Sequence, residues 1–143
     1  MAEYSYIPIQ TVANNANVLF TNGSRCCKKG YVQHRDDSGV FYLKGFQCKA
    51  AYIVSFTANV AVSAADAGGV LEPISVALSI NGETIGNALG TVTPAAIGDF
   101  YNVHFETYVD IPCGCCVTIA VKNVSDETAI DVSNANLIVE RKA

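Results

Sequence analysis

The chain has no tryptophan, one methionine, two histidines and only 15% charged residues in a length of 143. Two histidines are too few for a catalytic centre built on clustered imidazole ligands. No Gly-x-Ser-x-Gly turn occurs, so the strained nucleophile of that reaction class is absent. Gly68, Gly69, Gly86 and Gly90 precede no helix-forming run, which excludes a phosphate-cradling loop. Net charge is −4, and the only basic cluster is Arg25, Lys28 and Lys29, so no nucleic-acid partner is expected. The longest uncharged stretch, 50–65, is interrupted by Ser55, Thr57, Asn59 and Ser63. It falls short of the roughly 18 apolar residues that a spanning helix needs, so no membrane partner is expected either. The first residues, Met1-Ala2-Glu3-Tyr4-Ser5-Tyr6, lack a basic start and an apolar run, which predicts synthesis in a cytoplasm without a secretory signal.

Half of the residues are hydrophobic and the mean hydropathy is +0.27. A chain this apolar has too few polar groups to cover its own surface, and burial against further copies resolves the shortfall. The length suits one domain, 1–143, in which 1–30 is expected to supply an N-terminal strand or an arm contacting neighbours. No stretch keeps a helical period; 64–67 and 94–97 have room for one turn each. Runs of Val, Ile, Tyr, Phe and Thr predict strands at 7–11, 17–20, 32–35, 40–45, 51–62, 74–80, 84–92, 101–109, 116–122 and 129–140. Ten short strands at this spacing predict an all-β antiparallel sandwich of the jelly-roll kind. Asn81-Gly82 has the chemistry of a type I′ hairpin. Asp36-Asp37-Ser38-Gly39 predicts another hairpin with Gly39 in a left-handed bulge position. Ser125-Asp126-Glu127 reads as a third hairpin-like break, and 67–69 and 93–96 as loops that cross between sheets. Tyr52, Val54, Phe56, Ala58, Val60 and Val62 are expected on one face of their strand. Tyr101, Val103, Phe105, Thr107 and Val109 are expected to face away from Asn102, His104, Glu106 and Tyr108.

Ala51-Tyr52-Ile53-Val54-Ser55-Phe56 and Val76-Ala77-Leu78-Ser79-Ile80-Asn81-Gly82-Glu83 resemble strands of complement-head and tumour-necrosis-factor-like jelly rolls. The final strand, Ala135-Asn136-Leu137-Ile138-Val139-Glu140, matches a buried central one, and the likeness runs from Val32 to the C-terminus. This resemblance implies a homotrimer of sandwiches packed around an axis. Four further segments resemble small proteins found beside capsid genes in phages and prophages of gut Firmicutes. They are Val32-Gln33-His34-Arg35, Val92-Thr93-Pro94-Ala95-Ala96, Pro112-Cys113-Gly114-Cys115-Cys116, and Asn134 through Arg141. That resemblance implies a virion protein: a capsid decoration protein, a head fibre or a tail-associated knob. Its partners would be itself and the major capsid protein or another virion protein.

Six cysteines stand as Cys26-Cys27, Cys48, and Cys113-Gly114-Cys115-Cys116. Cys26 or Cys27 with Cys113, Cys115 and Cys116 amounts to four thiolates for zinc, but adjacent pairs and a one-residue gap are poor spacing for a structural site. Disulfides are open to all six, subject to compartment and to the approach of strands. The leading expectation is buried small hydrophobes at a loop end. His34 and His104 are expected to face solvent or an interface, and three copies of His104 near an axis have the chemistry to bind an ion or sense pH. Asp36, Asp37 and Ser38 are oxygen donors for calcium, though turn chemistry explains them already. Tyr4 and Tyr6, with Ile7-Pro8-Ile9, are expected at an interface, as are His104 and Tyr108. No catalytic residue, cofactor or metal is assigned.

The function expected is therefore non-enzymatic: a capsid decoration protein assembling as trimers on a phage head, located on the virion surface. The alternative is a receptor- or glycan-binding knob of a phage fibre or bacterial surface filament, with Tyr31, Tyr42 or Tyr108 stacking on sugars. A small cupin-like enzyme is disfavoured by the shortage of histidine.

Overall fold

The computed structural model describes residues 2–22, 32–34, 38–45, 50–63, 71–113, 116–126 and 129–142. Eleven strands lie among them: β1 Ala2–Tyr6, β2 Gln10–Val12, β3 Thr21–Asn22, β4 Val32–His34, β5 Phe41–Lys44, β6 Ala50–Val62, β7 Ile74–Ile80, β8 Glu83–Val92, β9 Tyr101–Ile111, β10 Cys116–Asn123 and β11 Ile130–Arg141. A six-stranded sheet runs β3-β1-β11-β6-β9, with β2 also on β11, and a five-stranded sheet runs β4-β5-β10-β7-β8. Every pairing is antiparallel. The chain is an all-β antiparallel jelly roll, as expected.

Alternation along the strands builds the core. Tyr52, Val54, Phe56, Ala58, Val60 and Val62 are all buried on one face of β6, and Val103, Phe105, Thr107 and Val109 on one face of β9. β11 lies between β1 and β6, as a buried central strand should. An aromatic chain crosses between the sheets: Tyr4 meets Phe41 edge-on at 4.7 Å, Phe41 meets Phe20 at 5.5 Å, and Phe56 meets Phe105 at 5.2 Å. Such pairs add directional preference to the area they hide.

The first expected strand, 7–11, is misplaced. Residues 2–6 form β1 on β11, the chain bends at 7–9, and β2 then joins the same side of β11. A register shift at Ser133/Asn136, with Asn134 at φ 53, separates the two partners, and the Asn134 N–H donates to Ile7 O at 3.1 Å. The stretch 17–20 contributes only the isolated bridges Asn17–Lys122 and Phe20–Ser38.

The turns divide similarly. Asn81 (φ 51) and Gly82 (φ 87) take the positive angles of a type I′ hairpin. Thr118 fixes that turn, because its N–H donates to Asn81 Oδ1 at 3.0 Å while Asn81 N–H donates to Thr118 O at 2.9 Å. β4 and β5 form the second expected hairpin, but Gly39 is not left-handed. It is glycine for lack of space, since a Cβ there would stand 2.7 Å from Asn17 Cβ and 2.8 Å from Val18 O. β10 and β11 belong to different sheets, so they do not form the hairpin expected around 125–127, of which Glu127 lies outside the described residues. Buried Asn123 anchors the crossing, donating to Val12 O and Ala13 O and accepting from Ser125 N–H. The expected crossing at 93–96 is present, joining β8 in one sheet to β9 in the other. Residues 67–69 lie outside the described residues, on a connection between β6 and β7 that also changes sheet.

Candidate functional site

Period-2 alternation that buries one face of the six-stranded sheet turns the other outward. On β6 that outward row is Ala51, Ile53, Ser55, Thr57 and Asn59, Ala61 being buried, with no charged side chain along a central strand of 13 residues. Register sets three rows across the sheet: Asn136–Thr57–His104, Ile138–Ser55–Glu106 and Glu140–Ile53–Tyr108. His104 Nδ1 lies 3.0 Å from Thr57 Oγ1, and Asn102 Nδ2 reaches Ala58 O at 3.3 Å. Hydroxyl, amide and imidazole side chains thus bond one another on β6 and β9, and the carboxylates stand on the strands beside β6 or beyond, at Glu3, Glu106, Asp110, Asp131 and Glu140.

Two unlike apolar groups flank this face. On the β1/β2/β3 side, Ile7 is 69%, Ile9 61% and Leu19 42% exposed. They are held out by polar bonds. Gln10 grips the Leu19 backbone in both directions, each at 2.9 Å, and Ile7 O is held by Asn134. On the β9 side, Tyr108 is 66% exposed on this face; Ile97 and Phe100 are exposed on the connection into β9, and Leu89 on β8 of the other sheet. The two edge strands meet there: a Cβ on Gly90 would touch Val103 Cβ at 3.4 Å and the His104 backbone at 3.6 Å.

The expected interface residues separate on this geometry. His104 and Tyr108 do stand on the outward face. Tyr4 does not; it is fully buried beside Phe41, because β1 inserts into the chain's own sheet and turns this ring inward. Tyr6 is half-buried and packs against the core. His34 is also a packing residue, stacked on Phe41 at 4.3 Å and 14° with Nε2 2.7 Å from Ser38 O. Exposed Tyr42 belongs to the five-stranded sheet, so it forms no common platform with Tyr108, and Tyr31 lies outside the described residues. Asp36 and Asp37 also lie outside them.

Cys113 and Cys116 are exposed, not buried as expected, because the first sits in a turn and the second on the outward side at the start of β10. Cys26, Cys27, Cys48 and Cys115 lie outside the described residues. Among the described residues no group of three or more His, Cys, Asp or Glu is placed to hold a metal ion, and no helix is long and apolar enough to cross a membrane. The apolar group at Ile7, Ile9 and Leu19 was half visible: Ile7-Pro8-Ile9 signalled an edge, but nothing in the sequence links Leu19 to it.

Two layers in this strand order define the class: an antiparallel jelly roll. No protein-family model and no curated protein matches the chain. Solved structures do match. Murine APRIL at pH 5.0 has a TM-score of 0.65 with 11% identity, over 99% of this chain and 98% of that one. Eiger, a TNF from S. frugiperda, has a TM-score of 0.66 with 9% identity, over 99% and 92%. The globular domain of zebrafish complement 1qA has a TM-score of 0.51 with 8% identity, over 96% of each chain. At these identities the likeness is one of fold.

Proposed function

We propose that the chain is a non-enzymatic structural protein that assembles as a homotrimer through the outward face of its six-stranded sheet. The observation that carries this is the uncharged β6 row, with exposed Ile7, Ile9 and Leu19 on its β2 side and exposed Tyr108 on β9 at its other side. A contact between two different surfaces repeats from copy to copy and ends when rotation closes a ring. The jelly-roll type supports a ring of three. Burying the groups removes apolar area from water at roughly 25 cal/mol per Å2, part of which offsets the entropy of association.

The place we propose for this trimer is the surface of a phage head, as a decoration protein on the major capsid protein. Support for that finer step comes from the resemblance of residues 32–35, 92–96, 112–116 and 134–141 to proteins encoded beside capsid genes. Tyr42, exposed on the sheet that such a trimer leaves free, supports the second reading, a receptor- or glycan-binding knob.

Light scattering on the purified chain tests the assembly: a mass near three times 15.1 kDa is expected, and a monomer at micromolar concentration overturns it. Mixing the trimer with undecorated capsids tests the location. Co-sedimentation in a fixed ratio supports decoration; absence of binding, with hits on a glycan array, transfers the role to the knob.

A further inference from the structure

The five-stranded sheet also turns one set of side chains outward, and the trimer proposed above leaves that set free. On β5, Phe41 and Leu43 are core residues, so Tyr42 and Lys44 point out; on β10, Val117, Ile119 and Val121 are core residues, so Thr118 and Lys122 point out. Register places Gln33, Tyr42 and Thr118 in one line across β4, β5 and β10. Lys44 pairs with Cys116, on the opposite side of that line from Lys122. At about 3.4 Å per residue along the strands, Lys44 stands about 7 Å to one side of the Tyr42 line and Lys122 about 14 Å to the other.

Among the described residues, no hydrogen bond or ion pair engages the side chain of Gln33, Tyr42, Lys44 or Lys122. Thr118 gives its hydroxyl proton to Asn81 Oδ1 at 3.3 Å and keeps lone pairs to accept with. The outward rows of this sheet hold no carboxylate among the described residues; Glu83, at the sheet's end, pairs with core-facing Ile80. The six-stranded face holds five, so the two faces of a chain with net charge −4 differ in sign, and the five-stranded one complements an anion. Tyrosine offers flat apolar area at a low entropic cost. Pairing with β4 and β10 already fixes the β5 backbone, so only side chains order on binding. A pyranose lays its C–H face on such a ring, and its hydroxyls need groups that donate and accept, as the Gln33 amide does. A peptide that adds by backbone pairing needs a free strand edge, and β5 has none there.

We propose that the outward face of β4, β5 and β10 binds a carboxylate-bearing oligosaccharide. One sugar ring stacks on Tyr42, with Gln33 and Thr118 meeting its hydroxyls, and carboxylates of the sugars on either side meet Lys44 and Lys122. This rests on the second reading above, the glycan-binding knob, and gives it a site and a ligand class. Exposed lysine–carboxylate pairs contribute little each. Stacking therefore carries most of the affinity, and the lysines select charged over neutral chains.

The test is calorimetric titration of the full chain, at low ionic strength, with oligogalacturonate, oligosialate and hyaluronan oligosaccharides. Binding of at least one is expected, and it should weaken as salt is added. Tyr42→Ala should weaken it at least about tenfold. Lys44→Gln combined with Lys122→Gln should weaken it about fivefold and flatten its salt dependence. Circular dichroism that matches the parent shows that each variant is folded. Absence of binding to all three probes overturns the proposal, as does full affinity in the folded variants. Equal binding of methyl-esterified oligogalacturonate overturns the anionic ligand class, and equal competition by poly-glutamate overturns the saccharide in favour of an acidic polypeptide. A glycan array run on the parent and on Tyr42→Ala separates this site from the knob reading: hits that persist in the variant keep the knob and remove the site, whereas no hits on either chain remove both.

Discussion

Gly39 and Asn17 are in contact so close that position 39 has no room for a side chain: a Cβ there would lie 2.7 Å from Asn17 Cβ. The contact holds the start of β5 against the segment that bridges to Lys122 through Asn17 and to Ser38 through Phe20. Replacing Gly39 with alanine must move backbone, because Val18 O stands 2.8 Å from the same point. Overpacking of this kind costs about 1–3 kcal/mol. Thermal denaturation of Gly39→Ala should show a lowered midpoint with an unchanged β-rich circular dichroism spectrum. An unaltered midpoint would remove the close approach as the reason for glycine.

The crossing from β10 to β11 depends on Asn123, which is fully buried and bonded to Val12 O, Ala13 O and Ser125 N–H. Removing its amide strands polar backbone in an apolar interior. Asn123→Ala should destabilise the fold by about 2–3 kcal/mol, measured by urea denaturation. Asn123→Asp keeps the acceptor for Ser125 N–H but loses both donated bonds and buries a carboxylate against two carbonyl oxygens, so it should destabilise at least as much as alanine.

Gly82 and Gly86 form an internal comparison on either side of the start of β8. Both face open space, but only Gly82 has a positive φ, at 87°. Gly82→Ala should cost about 1–2 kcal/mol through left-handed strain. Gly86→Ala should be neutral, or stabilise by up to about 1 kcal/mol through the unfolded chain. Equal losses at the two sites would contradict the assigned turn.

Exposed apolar residues whose backbone is already fixed can be changed without harming the monomer. Ile7→Ser combined with Leu19→Ser should leave the unfolding free energy of the isolated chain within about 0.5 kcal/mol of the parent. The same pair should reduce the light-scattering mass from trimer toward monomer. Thr57→Arg, which places a cation in the uncharged β6 row, should do likewise. A trimer that survives both changes does not use this face.

Strand placement was legible from sequence wherever apolar and polar residues alternate over many positions. β6, β7, β9 and β11 match the expected spans within about two residues, because a half-buried strand must repeat every second position. The N-terminal region was not legible. β1 is five residues long and holds Glu3 and Ser5 on its outward side, a pattern too short to separate from a loop, and its partner β11 lies more than a hundred residues away.

Sequence alone determined the all-β class, the inward set of each long strand, the Asn81-Gly82 hairpin and the surplus of apolar surface, since each follows from local periodicity or local dihedral preference. Tertiary structure decided that Tyr4 is core, that His34 stacks on Phe41, that Gly39 answers to crowding, and that Leu19 is tied to Gln10. These depend on which strands are neighbours, and long-range pairing is fixed by the closure of the whole sandwich, which no short window of residues contains.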